Sequence, residues 1–154
     1  MLIKLLLLLA LILPWLTVVF LNKNLVRRYM PVTIFTCLLM TIVFQIAYNY
    51  KWWTIDSYIV PWGYMIDISF AYGIFAVGTF WIFVLASNNF RIFLIVNLIM
   101  DAFLCFVVLG LLERLGVATL VNIHKWQYFI VTFILSLIIY VYHLWQEKIF
   151  SEKV

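Results

Sequence analysis

The sequence predicts an all-α integral membrane protein, a compact bundle of five transmembrane helices forming one domain over residues 1–154. Three observations predict it. Of the 154 residues, 68% are hydrophobic and 10% charged, and the mean hydropathy is +1.17. A soluble domain is about half apolar and about a quarter charged, so this chain has too little polar surface to cover a water-facing globule. The apolar residues fall in runs close to the roughly 20 residues that a helix needs to cross a hydrocarbon core. The segments between runs are short, and helices satisfy backbone groups locally inside lipid.

The first run covers residues 3–21. No small-x-small cleavage motif follows it and its basic cluster comes after it, so a span is expected rather than a signal peptide. Pro14 lies inside it and implies a kink, with neighbours satisfying the freed carbonyl. Residues 22–30, which carry Lys23, Arg27 and Arg28, are expected as a polar turn. Pro31 then stands at the first helical position of the second run, residues 31–50.

Residues 51–64 form the longest connection and contain Trp52, Trp53, Tyr58, Trp62 and Tyr64. Such rings favour the headgroup level, so an interfacial aromatic segment is expected. The third run, residues 65–86, ends at Ser87, Asn88 and Asn89. Its small residues Ser69, Ala71, Gly73, Ala76 and Gly78 let backbones approach closely, which places this helix centrally. The fourth run, residues 92–113, follows Arg91 and meets a helix stop at Gly116. The fifth run is residues 126–146, with a short charged tail after it. Trp15, Trp81, Trp126 and Trp145 lie toward run ends and fit aromatic belts.

The net charge of +4 comes from basic residues at the ends of runs. They read as topology signals and contacts to lipid phosphate, not as a nucleic-acid surface. Lys4, Lys51, Arg114 and Lys125 fall on the N-terminal side. Lys23, Arg27, Arg28, Arg91, Lys148 and Lys153 fall on the other. The positive-inside rule then predicts a cell-membrane protein with its N-terminus outside and its C-terminus cytoplasmic.

Asp101, near the middle of the fourth run, is the most informative residue. A carboxylate at that depth costs about 2.5–3.5 kcal/mol on insertion scales, so it should face protein or water. Asn97 is four residues earlier, on the same helix face. Antiparallel threading puts Ser136 near the same depth, with Gln45 within about two helical turns. Two readings stand side by side: interhelical glue, at about 0.6–2 kcal/mol, or a protonatable site on an ion or substrate path. Asp67, in the first turn of its helix, is favoured there by the macrodipole and is expected near water. His143, with Glu147 four residues on, reads as a solvated helix end, and His124 lies in a connection.

Metal binding needs three or four converging ligands, and two histidines and two cysteines at scattered depths supply no such set. Neither metal nor cofactor is predicted. Cys37 and Cys105 fall about 10 Å apart in depth, beyond the roughly 7 Å between Cα atoms that a disulfide allows. There is no nucleophile–base arrangement, glycine-rich phosphate loop or dinucleotide fingerprint.

Five strings, in this order and spacing, carry a resemblance: Pro14-Trp15, Arg28-Tyr29-Met30-Pro31-Val32, Lys51-Trp52-Trp53, Gly78-Thr79-Phe80-Trp81-Ile82-Phe83 and Asn97-Leu98-Ile99-Met100-Asp101. Together they resemble a family of small, tryptophan-rich integral membrane proteins of spore-forming Firmicutes, to which no activity is attached. The resemblance covers most of the chain and implies a bacterial protein of this topology. Members of that family often carry an acid where Gln45 stands, so a mechanism using a second carboxylate there does not carry over. The five-helix translocator proteins have a similar length, but their first loop is rich in proline and tryptophan, unlike residues 22–30. Their ligand binding is not carried over.

The leading expectation is a non-enzymatic accessory or self-associating subunit, working in the lipid bilayer through a membrane-protein partner or a second copy of itself. One alternative is a small channel or proton-linked carrier using Asp101. Another is a lipid or apolar-ligand binder using the aromatic segment.

Overall fold

A computed structural model of the chain describes residues 2–86 and 89–151. The element order is α1 (Leu2–Val19), α2 (Lys23–Asn49), β1 (Trp53–Ile55), a π-helical segment (Ser69–Phe75) continuous with α3 (Ala76–Ala86), α4 (Phe90–Phe103), a second π segment (Leu104–Val108) leading into α5 (Leu109–Arg114), β2 (Ala118–Leu120) and α6 (Lys125–Ser151). The protein is mostly helical. Among the described residues, five helices are long and apolar enough to cross a membrane: Leu2–Val19, Lys23–Asn49, Ser69–Ala86, Phe90–Arg114 and Lys125–Ser151. Ser87 and Asn88, expected to end the third run, and Lys153 lie outside the described residues.

Helix α2 begins eight residues before the position expected from Pro31. Asn22 accepts a hydrogen bond from the Asn24 backbone at 3.0 Å, which supplies the cap that starts the helix there. Pro31 therefore sits inside α2 rather than opening it, and residues 23–30 are helix, not turn. A proline within a helix leaves a carbonyl one turn earlier without its donor. The carbonyl that Pro31 frees is that of Arg27, and Gln146 of α6 donates to its neighbour, the Arg28 carbonyl, at 2.8 Å. At the other end of the chain, α6 continues through Ser151, so the expected tail is helical up to that residue.

The all-α expectation is corrected by a small antiparallel ladder. Trp53 pairs with Leu120, Thr54 with Thr119 and Ile55 with Ala118. Aromatic and β-branched side chains favour such a pleated edge. Turns with positive φ at Lys51 and Gly116 redirect the chain into it, and Gly116 pays no Cβ penalty there. The ladder ties the end of α2 to the connection between α5 and α6.

Helix α1 packs on the first π segment and α3. Pro14 leaves the Ala10 carbonyl without its intrahelical donor, and Gly73 faces that carbonyl. A Cβ on Gly73 would stand 2.5 Å from the Ala10 oxygen and 2.9 Å from the Leu11 Cα, so only glycine permits this approach. Two indoles fasten the same contact: Trp15 Nε1 donates to the Tyr72 carbonyl at 2.8 Å and Trp81 Nε1 to the Thr17 hydroxyl at 2.9 Å.

The π segments set which residues face inward. Asn97, Asp101, Cys105 and Leu109 are all buried, at a constant spacing of four. At 3.6 residues per turn such a row drifts by about 40° at each step. The wider turn of the π segment at Leu104–Val108 slows that drift and keeps the row on one side.

Candidate functional site

Helix α4 carries Asn97 and Asp101 on its buried face, and α6 brings Thr132 and Ser136 against them. Asn97, Asp101 and Ser136 line one cavity of about 40 Å³, together with Thr79 and Gly78 of α3. The structure thus brings together three of the four residues singled out in the sequence. The fourth, Gln45, is exposed. The inward face of α2 at this level is set by Met40, Phe44 and Ala47, and Gln45 points away from it.

Asp101 is only 4% exposed, and its Oδ2 has no hydrogen-bond partner among the described residues. Thr132 stands within hydrogen-bonding reach of the carboxyl, but its hydroxyl donates to the Phe129 carbonyl at 3.0 Å. The Ser136 hydroxyl donates likewise to the Phe133 carbonyl at 2.8 Å, and Asn97 Nδ2 to the Phe93 carbonyl at 3.0 Å. A hydroxyl has one proton and two lone pairs. Each hydroxyl can turn its single proton either to the helix backbone or into the site, and the Asn97 amide keeps a second N–H. The acid therefore sits among groups that can donate to its ionised form or accept from its protonated form.

Asp67 departs from its expected place near water. It is 7% exposed. Its Oδ1 accepts from the backbone N–H of Ser69 at 2.9 Å and of Phe70 at 3.3 Å, the capping role expected of an acid at a helix start. The β-ladder and α1 cover it. Asp67 lines a cavity of about 50 Å³ beneath the ladder, which Thr132 also lines, and another of about 120 Å³ beside α1.

No family model matches the chain, and neither a curated protein nor a solved structure matches it. The chemistry of its own residues carries the functional reading.

The expected aromatic segment divides in two. Trp53 is held in β1 and meets Phe44 and Tyr128 edge-on, at 5.4 and 5.8 Å between ring centroids, and Trp52 packs with it. Trp62 and Tyr64 face outward at 57% and 45% exposure. The four rings do not form one surface.

His143 is not the solvated helix end expected from its sequence position. It is 1% exposed, with ring centroids 5.6 Å from Tyr29 and 4.6 Å from Phe83. Glu147 pairs with Arg28 instead. Both cysteines are free, and the Cys105 thiol donates to the Lys125 carbonyl at 2.8 Å. Among the described residues no group of three or more His, Cys, Asp or Glu is placed to hold a metal.

Thr132 is the site residue that the sequence reading missed. Its signal was present: Thr132, Ser136 and Tyr140 repeat at a spacing of four on one run and lead to His143. That repeat marks one face of α6 as polar, and all four are buried.

Proposed function

We propose that the protein is a multi-pass protein of a bacterial cell membrane that moves protons, as a small channel or proton-linked carrier working through Asp101. The observation that carries this reading is the Asp101 carboxyl itself, buried in mid-helix beside a small cavity, with one oxygen unpartnered among the described residues. Eleven residues separate it from Phe90 and thirteen from Arg114, or about 17 and 20 Å along the helix axis. An ionisable side chain this far inside a span is expensive and belongs by default to a pathway.

A proton suits the site better than a metal ion. One carboxylate and a cavity of about 40 Å³ cannot replace the six to eight oxygens that a hard cation such as Ca²⁺ takes. A water needs about 10–15 Å³ and two to four polar partners, so the cavity has room for one beside the acid. The accessory-subunit expectation rests on missing catalytic groups; the buried acid beside a cavity is a positive feature and favours transport. Five spans are few for a complete carrier, so a second copy belongs to this reading. The same reading keeps the N-terminus outside and the C-terminus cytoplasmic.

The test is proton flux into proteoliposomes at several pH values, for the wild type and Asp101→Asn. Flux that requires the protein and is lost in the variant supports the reading. Equal flux in both, or none in either under an imposed pH gradient and membrane potential, sinks it.

A further inference from the structure

Building on the transport reading of Asp101, we infer that Asp67 is a second proton-exchange site in series with it, through which protons reach Asp101 from the side of the β-ladder. Three neighbouring cavities share wall residues. Asp67 lines both the cavity of about 120 Å³ beside α1 and the cavity of about 50 Å³ beneath the ladder. Leu104 lines both the second of these and the cavity of about 40 Å³ that holds Asn97, Asp101 and Ser136, and Thr132, on the wall of the second, reaches the Asp101 carboxyl. Among the described residues, the ionisable ones lining the three are Asp67, Asp101 and Tyr128.

The order follows from the helix directions. Asp67 precedes the helix Ser69–Ala86 at its ladder end, and Asp101 lies midway along Phe90–Arg114. A proton entering from the ladder side meets Asp67 first. Each cavity exceeds the roughly 10–15 Å³ that a water needs, and a water's partners lie at the acid in each: Asp67 with Ser69 beside α1, Asp67 with Thr132 and Tyr128 beneath the ladder, and Asp101 with Asn97 and Ser136. The transfer is a proton exchange without electron flow. Asp67–COOH gives its proton to water, the water passes a proton to the Asp101 carboxylate, and Asp67 is left ionised and ready to be reprotonated from outside. Thr132 lines the cavity beneath the ladder and stands within hydrogen-bonding reach of Asp101.

The wall beside Asp67 also has a reason to be less regular than an α-helix. It belongs to the π segment Ser69–Phe75, and π turns often occur at functional positions. Here the segment turns Phe70 toward the ladder-side cavity and Ser69 toward the one beside α1, which Phe70 also lines.

The experiment is proton flux in proteoliposomes for Asp67→Asn, Asp101→Asn and the double variant, with thermal stability measured on each. Asparagine keeps an oxygen that can accept from the Ser69 and Phe70 N–H groups, so the helix cap survives while the proton site is removed. Asp67→Asn is expected to keep wild-type stability and lower flux by about a hundredfold, with the double variant no worse than Asp101→Asn. Wild-type flux in Asp67→Asn, alongside lost flux in Asp101→Asn, overturns this inference and leaves the Asp101 reading standing. Flux unaffected by either substitution overturns both. As a readout independent of transport, dicyclohexylcarbodiimide adds to protonated carboxyls in apolar surroundings, the carboxyl oxygen bonding to its central carbon while the proton passes to its nitrogen. Mass spectrometry should find the adduct on Asp67 as well as on Asp101. An adduct on Asp101 alone also overturns the inference.

Discussion

Arg28 of α2 and Glu147 of α6, 119 residues apart, grip each other in a bidentate pair. Arg28 Nε donates to Glu147 Oε1 and Oε2 at 3.0 and 3.1 Å, and a terminal guanidinium nitrogen donates to Oε2 at 2.7 Å. With the Gln146 bond to the Arg28 carbonyl, this fixes α6 at the turn of α2 that Pro31 weakens. The side chains remain 41% and 31% exposed, so the contribution is that of a surface pair with good geometry, about 0.5–1 kcal/mol. Glu147→Gln should lower the melting temperature in mild detergent by that equivalent, and the exchanged pair Arg28→Glu with Glu147→Arg should recover most of it. A double variant no more stable than the single ones would show that the pair is not coupled.

Gly73 and Gly78 should respond to alanine in opposite directions. Gly73→Ala drives a methyl into the Ala10 carbonyl and should cost about 1–3 kcal/mol as α1 is pushed off. Nothing lies within 4 Å of a Cβ at Gly78, so Gly78→Ala should be neutral or stabilising by up to about 1 kcal/mol. Unfolding in detergent monitored by circular dichroism separates the two. Equal effects would mean that the α1 contact is not tight.

Trp15→Phe keeps the ring and removes the indole donor from the Tyr72 carbonyl. The expected loss is about 0.5–1.5 kcal/mol, and proteolysis of the loosened α1 should become faster. Unchanged protection would show that this bond does not hold the helix.

His143 is packed between Tyr29 and Phe83 as a ring. His143→Ala should cost about 2–4 kcal/mol through the cavity it leaves, whereas His143→Phe should cost less than about 1.5 kcal/mol and leave proton flux unchanged. Lost flux in a stable His143→Phe protein would move His143 from packing onto the path.

Thr132 tests the junction of the cavities. Thr132→Val conserves shape and removes the hydroxyl, so stability should change by about 1 kcal/mol while flux through Asp101 falls. Wild-type flux in this variant would place the route elsewhere.

Much of this architecture was legible in run length and spacing: five helices long and apolar enough to cross a membrane follow from the runs alone, and Asp101, Asn97 and Ser136 met because spacing and antiparallel threading fix their faces and depth. What escaped depends on contacts distant in sequence. The strands are three residues each and form only by pairing across more than sixty positions, and no local pattern marks them. The burial of Asp67 follows from that ladder, and the burial of His143 follows from Tyr29 and Phe83. Gln45 was misjudged because a helix that is apolar nearly all round does not announce which side faces its neighbours. The early start of α2 was hidden by Pro31, which reads as a beginning wherever it occurs.

The two π turns also bear on how this chain can change length. Each lets a helix carry more residues than an α-turn would while its two ends keep their facing. Deleting one residue within Leu104–Val108 would let the helix close into regular α form with Asn97 and Asp101 before it and Leu109 after it still facing inward. One residue lost from the regular turns of Phe90–Phe103 would instead swing everything beyond it by about 100°. Descendants of this protein should therefore lose a single residue within Ser69–Phe75 or Leu104–Val108 far more readily than elsewhere in these helices.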